Sequence, residues 1–322
     1  KEKYVSHNIE RITQEGVDNS SAKLFPADTV LVAMYGATIG ACSILSFEAS
    51  TNQACAAFLP TPKVLPDYLY YFLQSKKDIF VQNSVGGAQP NISAGYLKRF
   101  PFDIISVESQ RKIISALDSV SILISLRKQQ LAKLDELIKA RFVEMFGDFR
   151  INDKGFEQLK GSELFKFSSG KFLPEERRTE CGIPVYGGNG IAWYTDTFLI
   201  KYPTIIIGRV GAQCGNIHLV TEPVWISDNA IYIKEQKTDK FCLEFLSELM
   251  IMMDFYQYAD FSGQPKITQK PLESTFYLVP PVKLQEQFSD YVEKIKRQKL
   301  TIQQSLDKLE VLRKSLMQEY FG

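Results

Sequence analysis

Two long segments of the chain share one regular spacing of apolar residues. At alternating intervals of four and three, apolar side chains recur over residues 113–145 and again over 288–320, and neither segment contains Pro or Gly. This heptad spacing predicts two long helices that pair along a narrow apolar stripe. The predicted spacer positions are Ile113, Leu117, Val120, Ile124, Leu131, Leu134 and Ile138 in the first segment, and Phe288, Val292, Ile295, Ile302, Leu306, Leu309 and Leu316 in the second. Four stripe positions are basic instead: Arg127, Arg141, Lys299 and Arg313.

Ahead of each predicted long helix lies a region of short apolar runs separated by Gly, Pro and Asn. These runs predict strands at residues 29–34, 54–59, 204–207 and 230–233. Short helices are predicted at residues 67–75 and 240–255. A further extended segment is predicted just before each long helix, at residues 99–105 and 275–279.

The chain repeats itself at an offset of 175 residues. At this offset Gln110 corresponds to Gln285, residues 36–40 to 211–215, residues 89–93 to 264–268, and residues 146–147 to 321–322. Two long copies favour a gene duplication with pseudo-twofold symmetry, since solenoid repeats are short and numerous. Residue 1 corresponds to residue 176, so we expect the first copy to be N-terminally incomplete.

The predicted fold class is α+β, with two repeated mixed α/β domains separated by two long helices that form an antiparallel coiled coil. The first domain is expected at residues 1–105 and its spacer helix at 106–148. The second domain is expected at residues 149–281 and its spacer helix at 282–322. The alternative, that each helix packs only on its own domain, fits the narrow stripe and the helix length less well.

Composition narrows the possible functions. The chain has 322 residues, of which 45% are hydrophobic and 23% charged, enough for two cores. The formal net charge is only +1, which excludes a uniformly basic surface. Five cysteines without a CxxC pair and only two histidines favour reduced thiols in a cytoplasmic protein and no metal site. No apolar run approaches the ~20 residues of a membrane span.

Several motifs carry a resemblance to a known family. Residues 183–191 read IPVYGGNGI, residues 205–211 read IIIGRVG, and Trp225 precedes Asp-Asn-Ala at residues 228–230. In the first copy, residues 33–40 read AMYGATIG and residues 51–54 read TNQA. In this order, repeated twice, the motifs resemble the target-recognition domains of type I restriction-modification specificity subunits.

The resemblance implies a non-catalytic subunit that recognises a bipartite double-stranded DNA site through one domain per half-site. The helices would then separate the domains and provide a docking surface. The implied partners are two DNA adenine methyltransferase subunits and the restriction/translocase subunits. S-adenosylmethionine, ATP and Mg are expected on those partners, with no cofactor in this chain. The sequence agrees, because it lacks both an Asn/Asp-Pro-Pro-aromatic motif and a GxxxxGK[ST] loop.

Candidate DNA contacts follow from the side chains that bind bases and phosphates. Residues 160–209 hold seven cations against five acids, which places the expected DNA surface there. In the second domain the candidates are Lys171, Arg177, Arg178, Tyr186, Asn189, Trp193, Tyr194, Lys201 and Arg209. In the first domain they are Arg11, Lys23, Tyr35 and Thr38.

Several candidates have an ordinary structural alternative. Core packing is favoured for Trp193 and Tyr194, an internal ion pair is the alternative for Arg209, and a solvated surface is the alternative for Lys171, Arg177 and Arg178. The glycines of residues 36–40 and 211–215 favour tight turns. For Gln89, Asn91, Gln264 and Lys266 we favour a turn that fastens each domain to its helix over contact with bases.

A function of another class also fits the pattern, namely a two-headed coiled-coil scaffold that binds proteins. Residues 1–30 and 176–204 share almost nothing, while the helices align without a gap. Loops that differ between two otherwise similar copies favour recognition of two different ligands over a symmetric scaffold. An enzyme is the weakest interpretation, because no nucleophile–base set or metal cluster is evident.

Overall fold

A computed structural model describes residues 3–8, 10–86 and 90–322. Gln89, one residue of the predicted turn, lies outside this set. The chain divides into two compact units, residues 1–130 with 302–322 (unit 1) and residues 131–301 (unit 2). No helix in the described ranges is long and apolar enough to cross a membrane.

Unit 1 is built on a small sheet covered by helices. Its elements are β1 (Tyr4–Val5), α1 (Gln14–Asp18), β2 (Leu24–Phe25), β3 (Val30–Ala33), β4 (Cys42–Leu45), β5 (Ala49–Ser50), β6 (Cys55–Phe58), α2 (Pro66–Ser75), α3 (Lys77–Gln82), α4 (Ala94–Arg99) and the first part of α5 (Val107–Phe146). The sheet order is β1-β4-β3-β6, antiparallel except for β1 with β4. The alternation in β3 buries Val30 and Val32 completely, which explains why this strand is central.

Unit 2 has a larger set of sheets. Its elements are β7 (Glu157–Lys160), α6 (Gly161–Leu164), β8 (Phe165–Ser169), β9 (Arg178–Thr179), β10 (Ile183–Gly187), β11 (Gly190–Thr195), β12 (Thr204–Gly208), β13 (Ile217–Val220), β14 (Trp225–Ile226), β15 (Ala230–Gln236), α7 (Leu243–Met253), α8 (Gln269–Ser274), β16 (Phe276–Val279) and the start of α9 (Val282–Phe321). The sheet orders are β13-β12-β15-β8, β14-β10-β11-β9 and β16-β7. The β13-β12-β15 trio matches β4-β3-β6 of unit 1, whereas the described residues of unit 1 contain no hairpin like β10–β11.

The long helices run antiparallel within each unit. In unit 1, Lys128 of α5 pairs with Glu310 of α9 at 2.9 Å. In unit 2, Asp135 of α5 pairs with Lys299 of α9 at 2.5 Å, and the rings of Phe142 and Phe288 lie 5.6 Å apart. All fourteen predicted spacer positions are buried or half-buried. The predicted fold class, two repeated mixed domains with two long helices, is confirmed.

A buried glutamine anchors each long helix at its first turn. Gln110 is fully buried, accepts a hydrogen bond from the backbone of Leu65 and donates to the carbonyls of Lys63 and Ile105. Gln285 is also fully buried and makes the same three bonds in unit 2. The repeat therefore preserves the attachment of each helix to its domain.

One predicted element is wrong. Arg99 is the last residue of α4, and residues 101–106 contain no strand. The equivalent segment of unit 2, β16, is a strand because it pairs with β7. Residues 101–105 pair with no strand in the described part of the chain. The domain boundaries stay a prediction, since the two compact units divide within both long helices.

Candidate nucleic-acid interface

A groove of about 760 Å³ lies beyond the carboxyl end of β12 in unit 2. Three turns form its walls: the tip of the β10–β11 hairpin, the glycine loop at residues 208–215, and the turn that precedes β15. Backbone hydrogen bonds connect them. The amide of Arg209 donates to the carbonyl of Asn229, and the amide of Ser227 to that of Tyr186, both at 2.9 Å. Main-chain hydrogen bonds therefore hold the turns together, and the side chains that line the groove are available to contact a ligand.

Glycine is required where these turns approach one another. A Cβ on Gly208 would lie 2.5 Å from the carbonyl oxygens of both Gln213 and Gly188. Gly211 and Gly215 have φ values of +92° and +86°, which side-chain-bearing residues rarely adopt. The prediction of tight turns at these glycines is confirmed.

Unit 1 contains the same arrangement of a glycine loop and a Pro turn, which we call the loop frame. Gly36 and Gly40 also have positive φ, +64° and +73°. The amide of Gly36 donates to the carbonyl of Pro90 at 2.9 Å, as that of Gly211 does to Pro265 at 2.8 Å. The Pro turn is the repeated turn at residues 89–93 and 264–268. Within the described residues, its hydrogen bonds go to the glycine loop and to the segment before the turn. Ile92 and Ile267 of the two turns belong to the same buried clusters as residues of the long helices, and the expectation that the turn fastens the domain to its helix stays a prediction.

Amide side chains dominate the polar lining of the groove. Asn189, Gln213, Asn229 and Gln264 line it and are all exposed. Gln213 accepts a hydrogen bond from Asn216 at 2.8 Å. Within the described part of the chain, the side chains of the other three form no hydrogen bond. Asn and Gln can each pair with an adenine edge through two hydrogen bonds, so the groove carries suitable chemistry for base recognition.

An aromatic and cationic pair forms another part of the groove. The guanidinium of Arg178 lies 5.8 Å from the ring of Trp193, within range of a cation–π contact. Phe172 lies beside them and is 70% exposed. Glu175 and Asp228 also line the groove, so its lining has two acids against the single cation Arg178 and is not basic.

The remaining candidates of unit 2 lie outside the groove lining. Arg177 pairs with Asp196 at 2.9 Å, and Arg209 donates to the carbonyl of Asp228 at 3.2 Å. Lys171 and Lys201 are exposed; Lys201 precedes β12, whereas the groove follows it. Two aromatic candidates are half-buried within the β10–β11 hairpin: Tyr186 and Tyr194. Of the nine candidates in this unit, the groove brings together Arg178, Asn189 and Trp193.

The candidates of unit 1 are all exposed. Tyr35 precedes the glycine loop and Thr38 lies within it, and the Thr38 hydroxyl donates to the Tyr35 carbonyl at 3.2 Å. Arg11 lies before α1 and Lys23 before β2, outside the frame of shared loops.

One histidine packs beneath the groove. His218 lies under the hairpin tip, 3.5 Å from where a Cβ on Gly190 would stand, and its ring is 5.8 Å from that of Tyr186. Burial lowers the pKa of His218, although a backbone hydrogen bond at Gly188 opposes this effect. Burial likewise raises the pKa of Tyr186. His218 is therefore a neutral packing residue near pH 7.

Sequence reasoning missed Phe172, Gln213 and Asn229 as lining residues, and assigned Gln264 to a turn alone. Signals for three of them were present. Gln213 lies inside the repeated glycine loop, Asn229 inside the Asp-Asn-Ala motif, and Gln264 inside the repeated Pro turn. Phe172 had no such signal, because it lies outside the repeated motifs.

Two copies of one loop frame, each at the end of its own sheet and carrying unlike side chains, define a duplicated recognition protein. The chain belongs to the type I restriction modification DNA specificity domain family, whose model matches residues 1–136 and 153–311.

Individual relatives agree with this family. The chain is 29% identical over 193 residues to the specificity subunit of the type I restriction enzyme MjaIX of Methanocaldococcus jannaschii, a match covering 53% of this chain and 44% of that protein. It is 24% identical over 293 residues to the EcoprrI specificity subunit of Escherichia coli, covering 82% and 70%. The chain thus spans less than half the length of the first of these relatives.

Solved structures share the fold. A type I restriction-modification S subunit from M. genitalium superimposes with a TM-score of 0.63 at 20% identity, over 92% of this chain and 84% of that one. A chain from a study of complex assembly and conformational transition of the type I R-M system gives 0.57 at 15% identity, over 95% and 85%.

Proposed function

We propose that this chain is a specificity subunit that recognises a bipartite DNA sequence, with one half-site bound by each recognition domain. The paired helices set the unread gap between the half-sites. In this proposal the groove of unit 2 recognises one half-site through Asn189, Gln264, Arg178 and Trp193. The shared loop frame of unit 1, with Tyr35 and Thr38, serves the other.

The observation that carries the proposal is the contrast between frame and lining. The backbone hydrogen bonds of the glycine loop and Pro turn recur in both units at nearly equal lengths. The surrounding segments differ, since unit 2 has a four-stranded sheet where unit 1 has α1 and short strands. A common frame with different side chains suits two different base sequences.

The proposal assigns catalysis to other subunits. DNA adenine methyltransferase subunits, two per complex, would dock on the helices, and restriction/translocase subunits would join them. S-adenosylmethionine, ATP and Mg would be bound by those partners. Residues 1–103 carry nine charges of each sign and residues 151–281 a net charge of −3. We therefore expect weak DNA binding by the chain alone, with phosphate contacts supplied largely by the partners.

The test is selection from randomised duplex DNA with the chain bound to its methyltransferase subunit. Two short, different half-sites around a fixed gap are expected. A single continuous motif would contradict the proposal, and the absence of any motif would favour the protein-binding scaffold.

Groove variants assign the half-sites. Asn189→Ala and Gln264→Ala should each relax selection at positions within one half-site only, because a good bidentate contact contributes about 1–3 kcal/mol of discrimination. Gln158→Ala is the matched control, since Gln158 is an exposed amide of unit 2 outside the groove. Relaxation of both half-sites, or an equal effect of the control, would refute the assignment.

A helix deletion tests the spacer. Removing residues 127–133 and 302–308 takes one heptad from each helix. In the antiparallel pair these two heptads lie opposite each other, as the Lys128–Glu310 and Asp135–Lys299 contacts show, so the remaining residues keep their register although Lys128 is lost. The deletion shortens the pair by about 10 Å at 1.5 Å per residue. The gap should shrink by roughly three base pairs of 3.4 Å, with both half-sites unchanged. An unchanged gap would exclude the spacer role.

A further inference from the structure

One aromatic side chain is exposed in the groove of unit 2. Phe172 lines the groove and is 70% exposed. Among the described residues, no other ring and no cation contacts its ring. A lone exposed apolar residue is common on protein surfaces. What distinguishes Phe172 is the fixed backbone that carries it and the unpaired amide side chains beside it.

The residues on either side of Phe172 are fastened to the domain. The amide of Lys171 donates to the carbonyl of Ile226 at 2.8 Å, and the indole N–H of Trp225 donates to the carbonyl of Lys171 at 2.9 Å. Leu173, on the other side, is only 7% exposed. The backbone at Phe172 is therefore fixed although residues 170–174 belong to no helix or strand, and its ring still remains exposed in the groove.

Close packing at Gly170 attaches the same segment to another wall of the groove. A Cβ on Gly170 would lie 2.0 Å from the carbonyl oxygen of Ser227, so only glycine fits there. The amide of Gly170 donates to the carbonyl of Ala230 at 2.9 Å. Ser227 and Asn229 belong to the turn before β15 that lines the groove. The segment that carries Phe172 and the turn that carries Asn229 therefore pack together as one wall.

The polar lining indicates which base pair the ring would meet. The amide side chains of Asn189, Asn229 and Gln264 are exposed in the groove, and each can pair with N6 and N7 of an adenine in the major groove. The thymine of the same A·T pair presents its C5 methyl group on that edge. Apolar side chains, including Phe, contact this methyl group, which the other three standard bases lack.

Insertion of the ring between base pairs is the alternative for an exposed aromatic residue. Apolar wedges of this kind enter the minor groove. There the two orientations of an A·T pair present the same acceptors, so an amide side chain cannot tell them apart. The three amides in the groove with Phe172 therefore favour a major-groove contact over a wedge.

We propose that Phe172 determines specificity by contacting the C5 methyl group of a thymine in the half-site that unit 2 binds. The contact gives unit 2 a preference for thymine over cytosine at one position. This inference rests on the proposed DNA recognition, and adds to it a residue and the base that the residue selects.

Replacing thymine by uracil tests the contact, because uracil pairs as thymine does and lacks only the methyl group. The chain in complex with its methyltransferase subunit is titrated with duplexes of the selected sequence, in which each thymine of the unit 2 half-site is replaced in turn. One replacement should weaken binding about fourfold, which corresponds to about 0.8 kcal/mol for one methyl group at about 1.4 kcal/mol per tenfold change. Phe172→Ala should bind the thymine and uracil duplexes equally at that position.

Phe198→Ala is the matched control. Phe198 is 48% exposed, lies in unit 2 and is not part of the groove lining. This variant should keep the fourfold difference between thymine and uracil. Phe172→Ala should unfold at the same urea concentration as the parent, followed by tryptophan fluorescence, because its ring is already exposed. Loss of the difference would then not reflect unfolding.

Three results would overturn the inference and leave the proposed function intact. They are a unit 2 half-site without an A·T pair, binding that is insensitive to uracil at every position, and equal sensitivity of Phe172→Ala and the parent. A rise in the fluorescence of 2-aminopurine in the half-site that Phe172→Ala abolishes would overturn it in favour of a wedge. If selection yields no bipartite motif, the proposed function itself fails and the inference falls with it.

Discussion

Replacing Gln285 by alanine tests whether each long helix is attached to its domain through one buried amide. Gln285 is fully buried, accepts a hydrogen bond from the amide of Cys242 at 3.1 Å, and donates to the carbonyls of Lys240 and Pro280 at 2.7 and 2.8 Å. Alanine would leave all three backbone groups without this partner, in a position that water does not reach.

The magnitude follows from the three bonds. A typical hydrogen bond contributes about 1 kcal/mol net, and a buried group left unpaired costs about 1–3 kcal/mol. We therefore expect Gln285→Ala to lower the unfolding free energy of unit 2 by about 3 kcal/mol. With a urea m-value of about 2 kcal/mol/M, this corresponds to a midpoint shift of about 1.5 M.

Tryptophan fluorescence makes the assay specific to one unit. The chain has two tryptophans, Trp193 and Trp225, and both lie in unit 2. Urea unfolding followed by their fluorescence should show the full shift for Gln285→Ala. Gln110→Ala makes the equivalent change in unit 1, so it should shift the far-ultraviolet circular dichroism transition but move the fluorescence transition much less.

Gln303→Ala is the matched control on the second long helix. Gln303 is exposed, and its side chain bonds only Asp307 of the next turn, at 2.7 Å. Its effect should stay below about 0.5 kcal/mol. A shift by Gln285→Ala no larger than that of Gln303→Ala would refute the reasoning, as would an equal fluorescence shift by Gln110→Ala.

Three further outcomes are expected. Gly208→Ala should destabilise unit 2 by at least about 2 kcal/mol, since its Cβ would lie 2.5 Å from two carbonyl oxygens, whereas Gly263→Ala, with nothing within 4 Å, should cost under about 0.5 kcal/mol in the same fluorescence assay. Because the pKa of His218 is lowered from 6.5 in the folded state, the unfolded chain binds a proton first, so the fluorescence midpoint should fall as the pH drops below 6.5. His218→Gln should reduce that fall. His7→Gln is the matched control, because His7 lies in unit 1 and both tryptophans report on unit 2; equal pH profiles for His218→Gln and the parent would contradict the prediction. Trp193→Ala should lower selectivity at the half-site bound by unit 2, because Arg178 loses the aromatic ring that it contacts. Selection from randomised DNA measures this effect, and an unchanged motif would exclude a role for Trp193.

The candidate site was only partly predictable. The glycine loops and the Pro turn were found because they repeat at a fixed offset, which sequence comparison detects directly. The partner of Arg177 could not be found in this way, because Asp196 lies 19 residues away and comes close to Arg177 through the pairing of β9 with β11. Charge counting placed the DNA surface in residues 160–209, but the lining also draws on Gln213, Asn229 and Gln264 from later turns.

The sequence by itself determined the two long helices, their apolar stripes and the duplicated frame. These features depend on periodicity along one segment or on comparison of the chain with itself, and both are local properties. Only the tertiary structure decided which side chains share the unit 2 groove and why residues 101–105 do not form a strand. Those outcomes depend on partners remote in the chain: β16 is a strand because β7 pairs with it, whereas residues 101–105 pair with no strand among the described residues. A strand is stabilised by pairing with a neighbouring strand, and a local sequence pattern does not specify that neighbour.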